Sequence, residues 1–181
     1  MPSRHLLILA AAAWPSLALA QPKTAAHPPA REPARAANAA PKSIGKFEDW
    51  QAVTHQEGGQ LVCYAFVRAA SSQPALPGRG DVVLTVTHRN NGRDSVAISA
   101  GFAYAADAEV QMSAEQTQLA FYTAGRSAFA RDGRAAAAAF VKAREAVAKS
   151  PGPRNITVTD TFSLRGFSPA YAAMNKACPA K

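Results

Sequence analysis

DVVLTVTHR, residues 81–89, runs through NNG at 90–92 into DSVAISAGF at 94–102. In the first segment Val82, Leu84 and Val86 share one face, while Val83, Thr85 and Thr87 share the other. That two-residue period marks a half-buried strand. In the second segment Val96, Ile98, Ala100 and Phe102 alternate with smaller residues. Asn and Gly tolerate the positive φ of tight hairpin turns, so the two runs predict a β-hairpin.

Working outward, residues 61–68 (LVCYAFVR) are apolar, β-prone and of strand length, with Gly58-Gly59 as the turn before them. A first strand is expected over 50–54. Residues 69–80 hold Pro74, Pro77, Gly78 and Gly80 and read as a loop. Downstream, strands are expected over 108–112 and 118–123. Asp132 is an N-cap for a helix reaching about Ala143, favoured by five consecutive alanines. SPGPR at 150–154 breaks the chain, and 156–164 (ITVTDTFSL) alternates again. Asp160 interrupts the apolar side of that strand, which places it near an edge or a bulge. Ser168-Pro169 reads as an N-cap with Pro at the first helical position of a terminal helix over 170–177. The expected fold is mainly β: an antiparallel β-sandwich or partly open barrel with one or two short helices, including a C-terminal helix.

The chain has 181 residues and a formal net charge of +8. Its hydrophobic content is 48%, but 43 residues are Ala, so large core side chains are fewer than that figure suggests. A multidomain enzyme, a multi-span membrane protein and a disulfide-dense miniprotein are excluded. Arg4, the apolar run 6–14 and Leu17-Ala18-Leu19-Ala20 form the three parts of a signal peptide, residues 1–20, with cleavage expected before Gln21. The run is too short for a permanent anchor, so a protein that does not span the membrane is expected. Residues 21–43 contain five Pro and eight Ala and carry a charge of +3. That composition predicts a disordered linker, a solvated tether first, or a weak electrostatic contact with an anionic envelope polymer or membrane surface. Residues 44–181 form the single β-rich domain, with 15 basic and 11 acidic side chains. No basic stripe is interleaved with aromatics, so nucleic acid is not an expected partner.

Cys63 and Cys178 are the two cysteines, and in an exported chain they most simply form one disulfide. A reactive thiol pair is the alternative, but a CxxC spacing is lacking. His55 and His88 are the imidazoles of the domain. Ser95 and Asp94 near them lack a G-x-S-x-G context, so structural or exposed histidines are expected, with no catalytic residue, metal site or cofactor assigned. Arg79-Gly80-Asp81 spells an integrin-recognised triad, but so short a match reads first as a turn with a solvated charge pair. Most aromatic residues are expected in the core. Phe102 and Tyr104 are expected to share a strand face and form a candidate ligand surface. Arg126, Arg131 and Arg134 flank Asp132 in a polar connection that reads as a solvated loop or as a contact for an anionic glycan or phosphate. Asn155-Ile156-Thr157 is a glycosylation sequon in hosts with that machinery.

Three stretches occur in order: Phe47-Glu48-Asp49-Trp50-Gln51, Gly101-Phe102-Ala103-Tyr104, and FSLRGFS at 162–168. With Cys63 after the first, they resemble the invasion-associated locus B family of exported bacterial proteins, across most of 44–181. Glu48 stands where that family usually has Gly. Thr54 stands where many members have Cys, and no Cys lies between Cys63 and Cys178. Only the general fold is therefore carried over. The resemblance implies a periplasmic, secreted or surface-exposed β-rich protein whose activity is not defined by a reaction. The resulting expectation is a non-enzymatic periplasmic domain that binds an envelope component or another protein. A periplasmic enzyme with an acid–base site and a secreted host-interaction factor are the alternatives.

Overall fold

The computed structural model describes residues 40–180; the expected signal segment and the linker through residue 39 lie outside them. The central hairpin is formed by β5 (Val83–Arg89) and β6 (Gly92–Ser99). Its turn differs from the expected one. Positive φ falls at Asp94 (φ 55°) rather than at Asn90, Asn91 or Gly92. The register slips between Thr87 and Arg89, so β6 carries a bulge that turns Asp94 out of the ladder.

Before the hairpin lie β1 (Lys42–Phe47), β2 (Trp50–Glu57), β3 (Gln60–Arg68) and β4 (Ser71–Gln73). After it come β7 (Glu109–Ala114), β8 (Thr117–Ala124), β9 (Ser127–Ala130), β10 (Glu145–Pro151) and β11 (Thr157–Ser163). Helix α1 (Gly133–Lys142) precedes β10, and α2 (Phe167–Ala177) follows β11. Among the described residues the strands form one antiparallel sheet, ordered β1-β2-β3-β5-β6-β9-β8-β7-β10-β11-β4. The sheet is not closed. However, β4 follows β3 after two residues. The Ala69 N–H donates to Val82 O at 2.9 Å and the Ala70 N–H to Thr161 O at 2.8 Å. That step curls the last strand back beside the third, the partly open barrel of the two expected forms.

Several expectations need correction. The loop expected over 69–80 contains β4, and β1 begins at Lys42, inside the expected linker. Residues 145–151 are a strand whose inward residues are Ala146, Ala148 and Ser150. Such small residues give no hydrophobic period, and pairing with β7 and β11 decides the conformation. Phe102 and Tyr104 do not share a strand face, because β6 ends at Ser99. At Gly101 (φ 74°) the chain turns so close to its neighbour that a Cβ would lie 2.3 Å from Gly80 O. Ser168 and Pro169 lie inside the first turn of α2, whose N-cap is Gly166. The Asp132 cap of α1 is as expected, its Oδ1 accepting from the Ala135 N–H at 2.9 Å.

The core lies between the inner sheet face and the two helices. Ala136, Ala137 and Phe140 of α1 and Phe167, Ala170 and Met174 of α2 pack with Leu84, Val86, Ile98 and Phe121. Each fully buried Phe or Leu contributes about 1.5–3 kcal/mol relative to exposure. The Cys63–Cys178 disulfide joins β3 to the end of α2.

Candidate functional site

The first and third sequence motifs meet in a clasp. Trp50 Nε1 donates to Ser163 O at 2.9 Å, and Ser163 Oγ donates to Asp49 Oδ2 at 2.7 Å. Arg165 pairs with Glu48 at 3.1 Å, and the Trp50 ring meets Phe167 edge-on, centroids 4.7 Å apart. Gly166 passes Phe47 so closely that a Cβ would lie 1.9 Å from its carbonyl oxygen. Glu48 has φ 49°, a conformation glycine adopts without steric cost. That accounts for glycine at this place in the resembled motif. Beside the clasp is a cleft of about 350 Å³, lined by Lys46, Glu48, Asp49, Gln51, Phe66 and Arg68 among others. Sequence reading missed this cleft, since its walls come from β1, β2, β3 and the end of β11.

The second motif lies over a buried ion pair. Arg79, expected to be solvated, is turned inward. Its side chain is 7% exposed and that of Asp160 is 1% exposed. The two guanidinium Nη groups donate to the two Asp160 oxygens at 2.8 and 2.7 Å. Ser72 Oγ donates to the same carboxylate at 2.7 Å, and Arg79 Nε donates to Ala100 O at 2.7 Å. The guanidinium lies 5.0 Å from the Phe102 ring centroid, a cation–π contact. Asp81 meanwhile is exposed and pairs with Arg68. Arg79-Gly80-Asp81 is therefore not presented as a triad. Asp160 does lie beside the short edge strand β4, as its interruption of the apolar pattern implies.

Phe102 is buried, and its ring meets that of the half-buried Tyr104 edge-on at 5.2 Å. Burial pushes the Tyr104 phenol up from its ordinary value. Arg126 donates to Gly101 O at 2.7 Å and joins Phe102 in the lining of a shallow hollow of about 260 Å³. Arg131 is not part of this group. It pairs with Glu109 and lies 6.0 Å from the Tyr122 ring centroid. The structure thus gathers Phe102, Tyr104 and Arg126 and leaves Arg131 on another surface. Arg134 is exposed at the start of α1.

His88 is fully buried beneath α2. Its Nδ1 accepts from the Asp94 N–H at 3.1 Å, so Nε2 carries the proton and donates to Asn175 Oδ1 at 2.9 Å. Arg93 donates to that same Asn175 oxygen and to Cys178 O. The Tyr171 hydroxyl donates to Asp94 Oδ1. Burial first, then Arg93, hold the imidazole below its ordinary pKa, while burial and Asp94 push the Tyr171 phenol up. Cys63 lies opposite His88 in the β3–β5 ladder, so this network surrounds the disulfide. Both imidazole nitrogens are committed, which suits a structural group and leaves no lone pair for general-base work. His55 is half-buried on β2. Among the described residues, no cluster of three His, Cys, Asp or Glu side chains is placed to hold a metal ion.

The outer sheet face carries several aromatics, although most aromatic residues were expected in the core. Tyr64 and Phe66 of β3 are half-buried, with centroids 6.0 Å apart. Tyr122 of β8 is 45% exposed and stacks on Phe129 of β9 at 5.6 Å.

The family model described as Invasion associated locus B (IalB) protein matches residues 50–175. The crystal structure of invasion associated protein b from Bartonella henselae is similar in fold, with a TM-score of 0.53 at 14% sequence identity. The match covers 74% of this chain and 95% of that one. No curated protein matches the chain.

Proposed function

The chain belongs to the invasion-associated locus B family, and from that premise we propose that it is an exported, non-enzymatic binding domain of the bacterial envelope. The signal-peptide pattern of residues 1–20 and the Cys63–Cys178 disulfide support export to an oxidising compartment such as the periplasm. One observation carries the binding reading. The side chains with chemical potential, His88, Arg79, Asp160 and Ser163, are engaged in holding the fold, whereas on the outer face Tyr122 is exposed and Phe66 and Phe129 are half-buried. Large aromatic side chains in reach of solvent are the usual anchors of recognition surfaces.

The test is retention of residues 21–181 on envelope fractions at low and high salt. Salt-insensitive retention that is lost in a Phe66→Ala/Tyr122→Ala variant supports the reading. Retention that salt releases, and that the variant leaves unchanged, would assign binding to the basic segment 21–43 instead.

A further inference from the structure

The sheet register lines the outer aromatics up across strands that are far apart in the chain. Phe66 lies opposite Thr85, and Thr85 opposite Ala97. Ala97 lies opposite Phe129, and Phe129 opposite Tyr122. Gln51 extends the row at the β2 end. Neighbouring strands are about 4.8 Å apart, so the row from Phe66 to Tyr122 runs roughly 19 Å along the curved surface of the sheet. Between the two aromatic pairs the surface is made of small or hydroxyl-bearing residues: Thr85, Thr87, Ser95 and Ala97.

Charge decides the class of ligand. Ionic groups lie at the ends of the row and not along it. At one end Glu109 pairs with Arg131 beside Tyr122. At the other, Gln51 and Phe66 run into the cleft that holds Lys46, Glu48, Asp49 and Arg68. The span between offers no cation to a phosphate or carboxylate and no anion to a basic peptide. The row offers π faces at its two ends and hydroxyls between them. Aromatic rings pack against the C–H faces of sugars, and Thr and Ser hydroxyls both donate to and accept from sugar hydroxyls. A β-linked sugar chain also advances by about one strand spacing per ring, which matches a row built at one residue per strand.

We propose that this row is a binding track for an uncharged polysaccharide chain, lying across the strands from Phe66 to Tyr122, with one chain end in the cleft beside Asp49. The proposal rests on the binding reading above and names its ligand class.

The experiment titrates residues 21–181 with a soluble, fully N-acetylated chito-oligosaccharide, which is uncharged, and follows binding by calorimetry, at low and high salt. The expected result is salt-insensitive binding that weakens at least tenfold in Tyr122→Ala and is abolished in Thr85→Lys, with both variants keeping the native circular dichroism. Thr85→Lys puts a charge in the middle of the track without removing core volume. Absence of oligosaccharide binding overturns the proposal. So does binding that both variants preserve. The two readings are separated by the envelope-retention assay. Retention that depends on Tyr122, without oligosaccharide binding, keeps the surface and assigns it to a protein partner. Retention that is indifferent to Tyr122 removes the surface as well.

Discussion

The two faces of the same strands use their residues in opposite ways. Along β5 the inward series is Leu84, Val86 and His88, and the outward series is Thr85 and Thr87. Inside, the sole imidazole of that strand is locked between Asn175 and a backbone amide. Toward the other end of the hairpin, the buried Arg79–Asp160 pair is saturated by Ser72 and Ala100 O. Outside, ordinary core-type aromatics sit in reach of solvent. Residues that look reactive in the sequence thus serve the fold, and residues that look like filler are the ones free to meet a ligand. Low dielectric explains the first half. A buried polar group left unpaired costs more than it returns, so His88, Arg79 and Asp160 are each surrounded by partners.

This contrast is broken most severely at the inner face. Replacing both cysteines by Ser removes a cross-link with a sequence separation of 115 residues. The expected loss is about 4–5 kcal/mol by denaturant unfolding, from loop entropy regained in the unfolded chain. Asp160→Asn leaves Arg79 buried without its counter-charge and is expected to cost about 3–5 kcal/mol. The Arg79→Met/Asp160→Leu double variant is expected to recover much of that, because no orphaned charge remains. If Asp160→Asn is as stable as the parent, the pair is solvated and the contrast between the faces fails.

A smaller effect comes from His88. Its pKa is lowered by burial and by Arg93, from an ordinary 6.5. The native state therefore favours the neutral imidazole, and the unfolded chain binds the extra proton first. The His88 contribution is complete above about pH 6.5 and is lost as pH falls below it. Thermal midpoints are expected to drop on acidification from neutrality, and His88→Gln is expected to flatten that part of the profile. An unchanged profile in His88→Gln would show that other groups titrate there. The least effect on stability is expected at Tyr122→Ala, within about 0.5 kcal/mol, since the ring is largely outside the core. A loss well beyond that would place Tyr122 in the structural set.

How much of this could be read in advance follows from residue size and chain separation. The β5–β6 hairpin, β3, β11 and α1 were legible because Val, Ile, Phe and Ala repeat at strand or helix period. β10 was not, since Ala146 and Ala148 are too small to mark a face. Nor was β4, a polar strand of three residues held by pairing with β11. The disulfide was readable because two cysteines leave one pairing. The Arg79–Asp160 pair, 81 residues apart, was not. Neither was the aromatic row, which exists only because β9 and β8 follow β6 in the sheet, out of sequence order. The resembled motifs were readable as signatures, but their clasp between β2 and α2 emerges only in three dimensions.

The most direct test of the contrast maps ligand contact onto backbone amides. Residues 21–181, labelled for NMR, would be titrated with the chito-oligosaccharide and the shifted amides assigned. Shifts concentrated at Phe66, Thr85, Ala97, Phe129 and Tyr122 are predicted, with the amides around His88 and Arg79 unmoved. Shifts centred on His88, Asn175 or Asp160 would place the site among the buried polar groups and contradict the account.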